Sequence, residues 1–161
     1  MPRPPSIVWK PAESILQSIA TPEPLRQAIY ERYNIDHDPC PLNGHLTGPD
    51  GLDRSIPWGK RNYLNPPYVK AGIEAFVKRA IEEMQLGNNS YFLMPFRASL
   101  LYYHEAMRHC TGISFLGRNV KFEGYNSPFP QQLVLMEFEH DKPPLFREQM
   151  LGSMSVFNWK E

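Results

Sequence analysis

The sequence predicts a single compact α/β domain with a mostly parallel sheet and an antiparallel edge pair of strands. Three observations predict it. Apolar runs of strand length alternate with segments whose apolar residues recur at three and four, Gly, Pro or Asn punctuates most of the switches, and the last two strand-like runs follow one another with no helix between them. At 161 residues the chain is one domain's worth, spanning 1–161, and long enough to bury a core.

Taken in order, residues 1–11 carry four prolines and read as an irregular arm, followed by a short helical candidate, AESILQSIA. TPEPLRQAIYERYN begins with Thr21 as an expected N-cap and Pro22 at the first helical position, where its missing N–H costs nothing, with Leu25, Ala28 and Ile29 forming the apolar face. YNIDHDP reads as a short strand ending in acids. Residues 41–60, rich in Gly, Pro, Asn and Asp, read as a long ordered loop, and RNYL as a strand feeding Asn65. Ile73, Phe76, Val77, Ala80, Ile81 and Met84 predict an amphipathic helix stopped by Gly87 at C′. SYFLMPF is a strand of buried type and LLYYHEAMRHC a helix. GISFLG and QQLVLMEFE are the closing strands, separated by the loop EGYNSPFP, and residues 140–161 form a C-terminal extension.

Composition narrows the function. Formal net charge is zero, so any nucleic-acid contact has to come from a local basic patch. No apolar run approaches 18 residues, and the start lacks the apolar stretch of a secretory signal, which leads to the expectation of a cytoplasmic protein with no membrane partner. Cys40 and Cys110 lie 70 positions apart, match no zinc spacing and are expected as free thiols. No metal is expected. His104, Glu105 and His109 imitate a zinc-protease helix, but histidines five apart point about 140° away from each other.

The stretch that stands out is RNYLNPPYVK. Two adjacent prolines can neither continue a ladder nor sit inside a helix, so Asn65-Pro66-Pro67-Tyr68 is expected as a rigid, exposed loop with an aromatic ring at its rim. The Asn65 amide oxygen and the Pro66 carbonyl are two neutral acceptors that match the two N–H donors of a planar amino group, with Tyr68 as a stacking face. An aromatic amine is a poor nucleophile because its lone pair is delocalised into the ring. Two preorganised carbonyls favour rehybridisation and stabilise the positive charge that develops on attack, each worth roughly 2 to 4 kcal/mol.

In this context Asn-Pro-Pro-Tyr resembles the catalytic signature of amino-group methyltransferases. The ordered set TPEPL, IDHDPCPLN, DGL, Trp58, NPPY, FLMPFR, FLGRNVKF and FPQQLVLMEF, over roughly Thr21–Phe138, resembles the phage-type DNA N6-adenine methyltransferases. The resemblance implies a reduced Rossmann-like domain, S-adenosyl-L-methionine as cofactor, and DNA as partner with the target adenine flipped out of the duplex. It also implies a phage or prophage origin. Asn65, Pro66, Pro67 and Tyr68 would act on the adenine amino group. Thr21, Pro22, Asp36, Asp38, Pro39, Cys40 and Asp53 would belong to the cofactor side. Lys60, Arg61 and Lys70 bracket the catalytic loop, and with Arg97, Arg118 and Lys121 they are candidate contacts to nucleic acid, the last two beside Tyr125 and Asn126.

The chain departs from the pattern in one place. DPCPLNG after the first strand has its single glycine late, at Gly44, and only 26 residues separate Asp38 from Asn65. Two other readings stay open: an amino-methyltransferase acting on RNA or on a protein glutamine, and a catalytically degenerate relative that binds nucleic acid or a partner. No separate target-recognition domain is evident, so short or little sequence specificity is expected.

Overall fold

The computed structural model describes residues 20–41, 51–66, 68 and 70–146. The expected helix at 12–20 falls almost wholly outside them, and so does most of the C-terminal extension. The described elements are α1 (Glu23–Tyr33), β1 (Arg61–Leu64), α2 (Lys70–Gln85), β2 (Asn89–Pro95), α3 (Leu101–His109), β3 (Gly112–Phe115) and β4 (Leu133–Phe138).

The four strands form one open mixed sheet in the order β1-β2-β4-β3. β1 and β2 are parallel, with Tyr63 opposite Tyr91, as expected of strands joined through a helix. The sheet is not mostly parallel by pairing, and the antiparallel pair is not confined to the edge. β4 inserts between β2 and β3 and runs antiparallel to both. Its long apolar run, buried from Leu133 to Met136, suits that central slot, whereas four-residue β3, half-buried and ending in exposed Phe115, suits the edge. The predicted strand at YNIDHDP shrinks to one parallel bridge, His37 to Asn62, on the outer side of β1.

β2 is buried along both alternating sets of side chains, so the middle of the sheet is covered on both faces. α1 covers the face that carries Tyr63 and Tyr91, through Tyr30 packed edge-on to Tyr63 and Tyr33 stacked on Tyr91. α2 packs against α3 and against β2 and β4. Gly87, at φ 87°, closes α2 in a Schellman turn. Its N–H bonds Met84 O at 3.1 Å and the Asn88 N–H bonds Glu83 O at 2.9 Å, which turns the chain straight into β2. No helix among the described residues is long and apolar enough to cross a membrane.

Candidate functional site

β1, β2 and β3 point the same way, so their carboxyl ends share one edge of the sheet with the amino end of β4. Four segments converge there: Asp38–Cys40 beyond the His37 bridge, Asn65–Tyr68 beyond β1, Phe96–Arg97 beyond β2, and the 116–132 loop between β3 and β4. This is the edge at which open α/β sheets gather their ligand-binding loops.

Thr21 is not the N-cap of α1. Pro22 takes that position, with no side-chain cap, and the buried Thr21 hydroxyl turns into the site instead. It exchanges a 2.6 Å hydrogen bond with the Tyr63 hydroxyl and accepts one from Asn65 Nδ2 at 3.2 Å. Burial drives the Tyr63 phenol well above its usual range, so it stays protonated.

Asn65 is half-buried, and Pro66 and Tyr68 are buried. The loop is therefore not an exposed rim. The Tyr68 ring meets Phe122 and Phe129 edge-on, at centroid distances of 6.0 and 5.5 Å, and both phenylalanines are carried by the 116–132 loop. The Tyr68 hydroxyl is buried with no hydrogen-bond partner among the described residues, and desolvation raises its pKa far above the ordinary value. The loop is tied down by Phe129 N–H to Val120 O at 2.8 Å and, next to Thr21, by Glu123 N–H to Ala20 O at 3.4 Å. Pro67 lies outside the described residues.

The acids separate into two kinds. Asp38 is half-buried, and desolvation pushes its carboxyl up to about 6, against the counter-effects of the Cys40 N–H it accepts at 2.9 Å and the positive charge of Arg26. Asp36 Oδ1 accepts the Arg61 N–H at 3.0 Å and lies so close to Gly59 that a Cβ there would overlap it. Asp53 is exposed and accepts both the N–H and the hydroxyl of Ser55, which hold its carboxyl below the usual range. Asp53 is a turn-forming acid, and Asp36 ties its own segment to the start of β1. Asp38 differs from both: desolvating a carboxylate is costly, and a nearby positive charge would offset that cost. Buried Pro39 and half-buried Cys40 follow it, and Pro22 lies beside Thr21.

The basic residues also divide. Exposed Arg61 opens β1, roughly 13 Å from Asn65 at about 3.3 Å per residue, and Lys60 precedes it, so the two do not bracket the loop. Lys70 opens α2 just past the loop. Arg97 donates through Nε and Nη2 to Gln131 Oε1 at 3.3 and 3.2 Å, on the wall of an open cleft of about 570 Å³ between Phe96–Leu100 and Gln131–Gln132. Its charge reaches the Tyr68 phenol. Arg118 and Lys121 are exposed on the 116–132 loop, Lys121 directly beside Phe122.

Both cysteines are free thiols, with Cys110 buried and its pKa pushed up to about 12 by desolvation. His104 is half-buried and bonds Ala98 O, while His109 bonds Glu105 O, so the two rings serve separate local turns. That Tyr63 and Asn65 lie on one side of the sheet is legible from their spacing, since residues two apart in an extended chain share a face. Phe122 and Phe129 carried no local signal. A comparison of the chain with protein-family models finds no match, and a comparison with curated proteins finds none either.

Proposed function

We propose that the chain is an S-adenosyl-L-methionine-dependent methyltransferase acting on the N6 amino group of adenine in DNA, built on a reduced Rossmann-like domain. The observation that carries this reading is the convergence at one sheet edge of the Asn65 amide, held by Thr21, with the desolvated Asp38 carboxyl.

Asp38, Thr21, Pro22, Pro39 and Cys40 would hold the cofactor, Asp38 meeting its positive charge. When bound, S-adenosyl-L-methionine supplies an electrophilic methyl group on sulfur. Asn65 Oδ1 and the Pro66 carbonyl accept the two N–H bonds of the target amine and favour its rehybridisation as charge develops, and Tyr68 packs against the base. No anionic base is required, because the amine's proton leaves to water after the new bond has formed. Arg97, Arg118 and Lys121 contact the flanking phosphates. The adenine reaches Tyr68 only when the rings of Phe122 and Phe129 move aside, a step that accompanies extrusion of the base from the duplex.

That same covering of Tyr68 favours a second reading, in which catalysis has been lost and the domain binds nucleic acid or a partner. Methyl-labelled S-adenosyl-L-methionine, incubated with the protein and unmethylated duplex DNA, single-stranded DNA or RNA and followed by digestion to nucleosides, separates them. Label in N6-methyldeoxyadenosine is the expected result. Label in an RNA nucleoside or in protein keeps the chemistry and changes the substrate. No label in any sample, together with no cofactor binding by calorimetry, sinks the proposal in favour of the second reading.

A further inference from the structure

We infer that Tyr63 is a positioning residue for Asn65, acting through the hydroxyl of Thr21; this inference rests on the amino-methyltransferase reading above. Tyr63 lies inside β1 and Asn65 one residue beyond its end. Strand alternation sends their side chains to the same side of the sheet, where Thr21 arrives from the start of α1. The three polar groups then form one chain: Tyr63 Oη to Thr21 Oγ1 at 2.6 Å, and Thr21 Oγ1 to Asn65 Nδ2 at 3.2 Å. Thr21 is 7% exposed and Tyr63 2%, so water competes little for these bonds.

The chemistry gives this anchoring a purpose. A carboxamide has a donor end and an acceptor end of nearly equal size. A target amine brings two donors of its own, so an amide turned the wrong way would oppose N–H to N–H. With Nδ2 bonded to Thr21, the amide is turned so that its acceptor end points away from that hydroxyl. The Thr21 oxygen can accept from Asn65 while sharing its remaining bond with Tyr63. A neutral phenol fixed by Tyr30 at 5.6 Å holds that hydroxyl in place without bringing a charge to the site. A merely structural Tyr63–Thr21 bond would affect folding and leave the catalytic step alone.

The test uses the full chain and four variants, Tyr63→Phe, Thr21→Val, Thr21→Ser and the double Tyr63→Phe with Thr21→Val, each substitution close in volume to the residue it replaces. Tyr63→Phe and Thr21→Val are each expected to slow single-turnover methyl transfer about tenfold, and Tyr63→Phe, at a residue that holds neither cofactor nor DNA, to change both affinities by less than about twofold. Thr21→Ser should restore most of the rate, and the double variant should be little slower than either single one, because both break the same chain. Hydrogen exchange at the Asn65 side-chain amide, read by nitrogen-15 NMR, should quicken in Tyr63→Phe. Unchanged rates in both variants would overturn the positioning role while leaving the wild-type methyl transfer standing. A wild-type chain that transfers no methyl group would instead remove the underlying reading. The amide exchange then decides: quicker exchange in Tyr63→Phe supports the anchoring, and unchanged exchange overturns it.

Discussion

The two edges of the sheet use polar side chains in opposite ways. At the amino edge they are spent on the fold. The Asn62 side chain accepts the Gly59 N–H and donates to the carbonyls of Gly59 and Asn89, and Asp36 pins the first residue of β1. Arg79 and Glu83, 5% and 4% exposed, make a 2.7 Å ion pair, with Asn88 donating to Glu83, Arg79 reaching Ile56 O, and its guanidinium lying over Trp58. That knot fastens the 51–60 loop to α2. At the carboxyl edge, by contrast, the Tyr68 hydroxyl is buried without a partner and the Asp38 carboxyl is held above its ordinary range. Unpartnered atoms are not confined to the carboxyl edge, since Ser90 Oγ and Arg79 Nη1 at the amino edge are also buried without a hydrogen-bond partner among the described residues. The contrast therefore rests on the raised Asp38 carboxyl and the covered Tyr68 ring. The contrast predicts that amino-edge substitutions move stability and carboxyl-edge substitutions move activity.

The largest expected effect is on the amino edge. Arg79→Met leaves Glu83 buried without its cation, and should cost about 3 to 5 kcal/mol of unfolding free energy in urea titration. The surviving folded fraction should retain its cofactor affinity. A loss below about 1 kcal/mol would mean that the knot is solvated and that the contrast is overstated.

Next comes Asn65→Ala at the opposite edge. It should lower kcat about 100- to 1000-fold, equivalent to about 3 to 4 kcal/mol, and leave the urea midpoint and the cofactor Kd almost unmoved. Wild-type turnover in this variant would remove Asn65 from the chemistry.

Much of this contrast was legible in the chain, for local reasons. β1, β2, α2 and the Gly87 stop followed from periodicity and turn chemistry, and each was set by residues close together in sequence. The position of β4 was not. Its 17-residue connection from β3 leaves the strand free of any hairpin constraint, and only packing beside β2 decides the slot. In the site, the break after β1 at Asn65 could be read from its own residues, but the burial of Pro66 and Tyr68 could not. The turn of Thr21 away from its helix, and the covering of Tyr68 by Phe122 and Phe129, join residues more than 40 positions apart and have no local signature. Nearness in sequence to Asn65 suggests that Lys60 and Arg61 stand beside the loop, whereas an extended strand carries its two ends apart.

A smaller effect is expected at Asp38, and its sign depends on pH. The folded-state pKa, about 6, lies above the ordinary value of 3.8, so burial favours the protonated form. The native state is therefore least penalised below pH 4, and stability is lost as pH rises through about 6. Asp38→Asn should raise stability at pH 8 by about 2 kcal/mol, after allowance for solvent screening of the carboxyl, and change little at pH 4. The same variant should weaken cofactor binding at pH 8, and cofactor binding to the wild type near pH 6 should release up to about half a proton, measurable in buffers of different ionisation enthalpy. A variant gaining stability while keeping full cofactor affinity would show that the acid is buried for some other reason.

The smallest effect tests the basic residues. Each phosphate neutralised on duplex DNA contributes about 0.9 to the slope of log K against log salt. If Arg118 and Lys121 sit at the mouth of the site and both touch phosphate, replacing the pair by glutamine should flatten that slope by nearly 2. The same change at Lys60 and Arg61 removes equal formal charge from the opposite edge, beyond about one Debye length at physiological salt, and should flatten it by less than half as much. Equal effects would mean that DNA lies across both edges, or that binding follows charge count alone. The site would then be chosen by the pocket and not by the field around it.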